Sequence, residues 1–163
     1  MHNSQVDPNL GKPAAYEQLK RELEALIAGE TDWIANLANA AALIYHALPE
    51  VNWAGFYLLK EDVLTVGPFQ GRPACVRIAL GKGVCGTAAA QRQTIIVPNV
   101  HEFSGHIACD SASNAEIVVP MLQGRDLLGV LDIDSPKLGR FDEEDRQGLE
   151  RVVATLVASG GRV

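Results

Sequence analysis

EIVVPMLQGRDLLGVLDID, Glu116 to Asp134, is the stretch that decides the fold. Two runs of β-branched and aliphatic residues, Glu116–Gln123 and Asp126–Asp134, flank Gly124-Arg125. That order predicts an antiparallel hairpin. Asp132 and Asp134 are two apart on the second run, so alternation turns both side chains to one face. At a rise of about 3.3 Å per residue their attachment points stand roughly 6 to 7 Å apart, close enough to grip one cationic group or to raise each other's pKa. Whether Glu116 joins them depends on register. A loop with an odd number of residues places it on their face, a two-residue turn opposes it to Ile133, and Pro120 offers a site for a bulge.

Working outward, Val51–Leu59 is aromatic and β-branched, Lys60–Asp62 can turn, and Val63–Phe69 resumes as a strand, a second hairpin. Cys75–Leu80 reads as a short strand, then Gly81-Lys82-Gly83 leads into a small helix, Val84–Gln91, and Thr94–Val97 into another strand stopped by Pro98. Before these strands, Tyr16, Leu19, Leu23, Leu26 and Ile27 recur at helical spacing behind Pro13, and Gly29 ends that helix. Thr31 and Asp32 are capping residues for a second helix, Trp33–Leu48, closed by Pro49. At the other end Asp142, Glu143 and Glu144 start a helix that Leu149, Val152, Val153 and Leu156 make amphipathic. The expected fold is α+β: one domain over residues 13–160, an antiparallel sheet flanked by N-terminal and C-terminal helices, behind a polar leader of residues 1–12.

A chain of 163 residues suits one domain with a sizeable core. A net charge of -6 argues against a nucleic-acid surface, which needs clustered Lys and Arg. No apolar run approaches the roughly 18 residues of a membrane helix, and Met1–Gly11 lacks the apolar core of a signal peptide. The expectation is a cytoplasmic protein with a small-molecule ligand and no membrane partner.

The three cysteines, Cys75, Cys85 and Cys109, lack the two-to-four-residue spacing of structural zinc sites, which leaves thiol chemistry or burial. Cys109 lies in an aperiodic loop, Pro98–Ala115, three residues after His106. Loops of that length are often functional. Cys85 opens a short helix, a setting that favours a thiolate but equally suits a small buried hydrophobe. His101 and His106 are weaker candidates. Trp53, Phe56 and Tyr57 could wall a pocket for a small apolar group.

Taken together, Gly67-Pro68-Phe69-Gln70-Gly71 before Cys75, Gly83-Val84-Cys85-Gly86-Thr87, Gly105-His106-Ile107-Ala108-Cys109-Asp110-Ser111, Glu116-Ile117-Val118-Val119-Pro120 and Asp132-Ile133-Asp134-Ser135 resemble the free methionine-(R)-sulfoxide reductases, enzymes built on a GAF domain. The similarity covers roughly residues 49–157. It implies a single GAF-like domain, Cys109 as catalytic thiol, and either Cys75 or Cys85 as the cysteine that resolves it. It also implies that Glu116, Asp132 and Asp134 bind the substrate ammonium and assist the sulfoxide oxygen, with Trp53 receiving the methyl end and Tyr57 beside it. Free methionine sulfoxide is then the substrate and a thioredoxin-like dithiol the reductant, with no metal, flavin or nucleotide cofactor. A homodimer paired through the outer helices is a further expectation. The rival readings are a GAF sensor that binds a small ligand without catalysis, and a redox sensor whose cysteines only report oxidation.

Overall fold

A computed structural model describes residues 6–160. Two helices, α1 (Lys12–Ile27) and α2 (Trp33–Ala47), precede strands β1 (Trp53–Lys60), β2 (Val63–Gln70) and β3 (Arg77–Ala79). Helix α3 (Gly83–Gln91) and strand β4 (Ile95–Val97) lead through a loop to β5 (Ala115–Gln123), β6 (Asp126–Ser135) and the closing helix α4 (Glu143–Ala158). The strands form one six-stranded antiparallel sheet in the order β3-β2-β1-β6-β5-β4. The expected α+β layering therefore holds. Cys75 does not lie in a strand, however: β3 begins at Arg77, and Cys75 sits in the connection that leaves β2.

Alternation along each strand sorts the side chains into two layers. Ala54, Phe56 and Leu58 of β1, Ile117 and Val119 of β5, and Leu131 and Ile133 of β6 pack against Leu19, Leu23, Leu37, Ile44, Leu149 and Leu156 of the three long helices. The intervening residues Trp53, Tyr57, Val118 and Val130 face the other way, toward Val84, Cys85 and Ala88 of α3. One face carries most of the apolar core. The opposite face is where a small ligand could be enclosed.

The β5–β6 register answers the question left open by the hairpin sequence. Gln123 pairs with Asp126 and Leu122 with Leu127 across the two-residue turn Gly124-Arg125, which by itself would set Glu116 opposite Ile133. Met121, however, pairs with Gly129, so Leu128 is an extra residue, a β-bulge, and from there Glu116 pairs with Asp134. The bulge lies beside Gly129, not at Pro120. Gly129 has a φ of 153°, and a Cβ there would collide with the Tyr57 carbonyl of the neighbouring strand.

Beneath the helical layer, Asp145 ties the first helix to the last. It caps α4 reciprocally with Asp142, accepts from the Tyr16 hydroxyl at 2.7 Å, and meets Lys12 Nζ at 2.7 Å and Arg140 Nη1 at 3.3 Å. Asp145 is wholly buried and Arg140 nearly so. Removing the carboxylate would strand a buried guanidinium. Asp145→Ala is therefore expected to lower unfolding free energy by about 3 to 5 kcal/mol, read from urea denaturation; a loss below 1 kcal/mol, on the order of a surface ion pair, would contradict this role.

Candidate active site

Four strands, helix α3 and two connections build one pocket on the face of the sheet away from the long helices. Asp134 is flanked by Trp53 on β1 and Glu116 on β5, while Asp132 lies between Gly55 and Val118. The N-terminal turn of α3 brings Gly83, Val84 and Cys85 over these residues, and the loop before β5 adds His106, Ile107, Cys109, Asp110 and Ser113. Arg72, Pro73 and Ala74 close the remaining side. The cavity measures about 40 Å³. That is room for a few waters, against roughly 300 Å³ or more in pockets that hold drug-sized ligands.

Cys109 is joined to Cys75 by a disulfide, with their Cα atoms 6.0 Å apart, inside the range such a bond requires. Cys85 is free and buried. Of the two candidate partners for Cys109, the bonded one is thus the cysteine in the β2–β3 connection. Tyr57 holds this connection through its hydroxyl, which donates to the Cys75 carbonyl at 3.0 Å, and Trp53 does the same through its indole N–H to the Arg72 carbonyl at 3.0 Å. Trp53 is stacked between Phe69, at a centroid distance of 5.1 Å, and Tyr57, at 6.0 Å. Of the aromatic wall anticipated from β1, Trp53 and Tyr57 support the cysteine segment and line the cavity at once, whereas Phe56 faces the helices on the other side of the sheet.

The Cys109 loop is held from the other side. Asn52, just ahead of β1, donates to Asp110 Oδ2 at 3.3 Å and to Ser113 Oγ at 3.1 Å, and the Asn114 N–H donates to the Ser135 carbonyl at 2.8 Å. His106 reaches Glu116 Oε2 at 3.5 Å, whereas His101 turns away to Asn114. Of the residues singled out in the sequence, Trp53, Tyr57, Cys85, His106, Cys109, Glu116, Asp132 and Asp134 line the cavity and Cys75 is bonded to Cys109, whereas Phe56 and His101 lie outside it. Sequence reasoning missed Asn52, Arg72 and Ser113. None has a periodic or motif signal, since each acts through a contact between distant loops.

The electrostatics of the pocket are set by burial. Desolvation pushes the Glu116, Asp132 and Asp134 carboxyls well above the ordinary range, and the negative charge of Asp134 on Glu116, of Glu116 on Asp132 and of Asp132 on Asp134 pushes further. The Cys85 thiol is raised for the same reasons, burial first and then Asp132 and Glu116. Burial lowers the His106 pKa, which favours its neutral form beside Glu116. Such a cluster favours keeping protons on its carboxyls. It can give one to a leaving oxygen or exchange one for a bound cation.

An open antiparallel sheet with helices on one face, and a pocket on the other roofed by a short helix and a loop, defines the class of protein. Residues 22–160 match the GAF domain family. The chain is 55% identical to the free methionine-R-sulfoxide reductase of Escherichia coli over 147 residues, 90% of this chain and 89% of that protein. It is 46% identical over 156 residues to the Saccharomyces cerevisiae protein of the same name, 91% of this chain and 87% of that one. The solved structure of the Neisseria meningitidis free methionine-R-sulfoxide reductase in complex with its substrate superposes with a TM-score of 0.92 at 42% identity, covering 98% of this chain and 95% of that one. Within the GAF class, the chain belongs to the free methionine-R-sulfoxide reductase family.

Raised carboxyl pKa values also carry a stability consequence. The folded state prefers these groups protonated, so their stabilising contribution is full below about pH 4, where unfolded carboxyls are protonated too, and is lost as pH rises toward the folded-state values. Asp132→Asn removes one ionisable group, and with it the cost of keeping a charge there. It is expected to raise stability at pH 8 by about 1 kcal/mol, or roughly 2 to 4 °C in Tm, with a smaller gain at pH 5. Paired thermal melts at the two pH values test this; equal or negative changes would show that the carboxylate is not strained by its surroundings.

Proposed function

We propose that this protein reduces free methionine-(R)-sulfoxide to methionine, with Cys109 as nucleophile and Cys75 as the resolving cysteine. The observation that carries the reading is the Cys75–Cys109 bond at a cavity lined by Glu116, Asp132, Asp134 and Trp53. The names and identities of the relatives support it independently.

The Cys109 thiolate attacks the sulfoxide sulfur while a carboxylic acid of the cluster, Glu116 or Asp134, gives its proton to the oxygen. The sulfur–sulfur bond so formed and the substrate sulfur–oxygen bond then break as the hydroxyl passes to Cys109 and methionine leaves, giving a sulfenic acid: the substrate sulfur is reduced by two electrons and the cysteine sulfur oxidised by two. The Cys75 thiol then condenses with the sulfenic acid, releasing water and forming the disulfide. A dithiol of the thioredoxin type exchanges with that bond and restores both thiols. Raised carboxyl pKa values suit the acid role, because they favour the protonated form, which has a proton to donate. The remaining ionised carboxylate pairs with the substrate ammonium. An internal methionine residue, which has no ammonium, would leave that charge buried and unpaired. Trp53 offers the methyl end an apolar surface.

Each cysteine has a distinct expected phenotype. In single turnover without reductant, Cys109→Ser forms no methionine, Cys75→Ser forms one equivalent and stops, and Cys85→Ser forms one equivalent and then turns over normally when dithiol is supplied. Quenched-flow quantification of methionine separates these outcomes, and full activity in Cys109→Ser would sink the assignment. Substrate class is read by incubating the protein with racemic free methionine sulfoxide and dithiothreitol or thioredoxin. Half of the racemate should be consumed, while N-acetylmethionine sulfoxide should react at least about 100-fold more slowly. Disulfide formation with peroxide and no methionine produced would favour the sensor reading instead.

A further inference from the structure

Cys85 is the one cysteine the proposed reaction leaves idle, yet it lines the pocket. One donor atom each of Cys85, Glu116 and Asp132 lies within 4.8 Å of the other two, and all three residues are buried. The Asp132 Oδ1 atom is buried and has no hydrogen-bond partner. Cys85 Sγ stands 3.9 Å from Glu116 Oε1, and His106 Nε2 stands 3.5 Å from Glu116 Oε2. Among the described residues, neither lysine nor arginine forms an ion pair with Glu116, Asp132 or Asp134.

We propose that Cys85, Glu116 and Asp132 form a binding site for a thiophilic divalent cation of the zinc type, and that the ion, when bound, excludes the amino-acid substrate. The donor set selects the metal. A thiolate with two carboxylates and a nearby imidazole matches zinc or cobalt, whereas magnesium and calcium want oxygen alone. Ligands bound at about 2.0 to 2.3 Å crowd closer than the present separations, and side-chain shifts of about 1 Å bring all three donors onto one ion. The Cys85 thiol gives up its proton to solvent as the metal binds. The site does not use Cys75 or Cys109, so it survives in the disulfide form. Its placement on Glu116 and Asp132 makes it a competitor for the groups assigned to the substrate ammonium and oxygen. Metal binding stands without the reductase reading; only the exclusion of substrate rests on it.

The test uses the full chain with the Cys75–Cys109 bond formed, so that Cys85 is the sole free thiol, and cobalt(II) as probe. One equivalent should bind with a thiolate-to-cobalt charge-transfer band in the near ultraviolet, and zinc should displace it. Cys85→Ser should lose the band, and Asp132→Asn should weaken binding by at least about tenfold, both variants keeping the wild-type circular dichroism spectrum. Absence of the band in the wild-type chain, or its persistence in Cys85→Ser, overturns the site. Exclusion is read from single-turnover methionine formation by reduced protein. Zinc should block the wild-type chain, chelation should restore it, and Cys85→Ser should need at least about tenfold more zinc for the same fractional block. Equal sensitivity of the two would assign the inhibition to Cys75 and Cys109 and remove the exclusion claim. A zinc-free wild-type chain that forms no methionine would defeat the reductase reading, while the cobalt band would still decide the site.

Discussion

A single extra residue in β6 governs the chemistry of this molecule. Side chains alternate across a sheet with period two, so every residue between the bulge at Leu128 and the end of the strand has its opposite neighbour on β5 chosen by that insertion. Without it, Glu116 would face Ile133 and point into the helical layer, where a carboxylate has no partner and the core has no space. With it, Glu116, Asp132 and Asp134 share one face, and the apolar residues between them close against the helices. The bulge depends in turn on Gly129, whose missing Cβ lets β6 approach the Tyr57 carbonyl. Backbone packing between two central strands thus determines where three carboxyl groups are gathered.

The concentration of acid groups in one desolvated place is costly, and the rest of the fold supplies the rigidity that keeps it. Helices α1, α2 and α4 bury the larger apolar cluster on the far side of the sheet, and Asp145 joins the first helix to the last through Lys12, Tyr16 and Arg140. Stability and chemistry therefore reside on opposite faces of the same strands. Residue 133 serves one while residues 132 and 134 serve the other.

This partition explains what could be read in the sequence. The elements were legible because their periodicities are strong: helical spacing in Leu19, Leu23 and Ile27, alternation around Asp132 and Asp134, punctuation at Gly29, Pro49 and Pro98. The register was not, because the bulge answers to a contact between β6 and β1 that no local pattern encodes. The partner of Cys109 was likewise hidden, since it depends on where two irregular connections come to rest. The acidic start of α4 was visible as a dipole signal, but the burial of Asp145 against residues at the other end of the chain was not. Tertiary proximity, not propensity, was the missing information in each case.

The covalent link between Cys75 and Cys109 spans 34 positions of the chain, a stretch that contains β3, α3 and β4. Closing a loop of that length removes conformations from the unfolded ensemble worth about 3 to 4 kcal/mol on the chain-entropy account. When the bond is reduced, that contribution disappears from a domain whose total stability is on the order of 10 kcal/mol. Reduction of this bond therefore releases a tether on the roof of the pocket. The thiol form is the one in which that roof has the greatest conformational freedom.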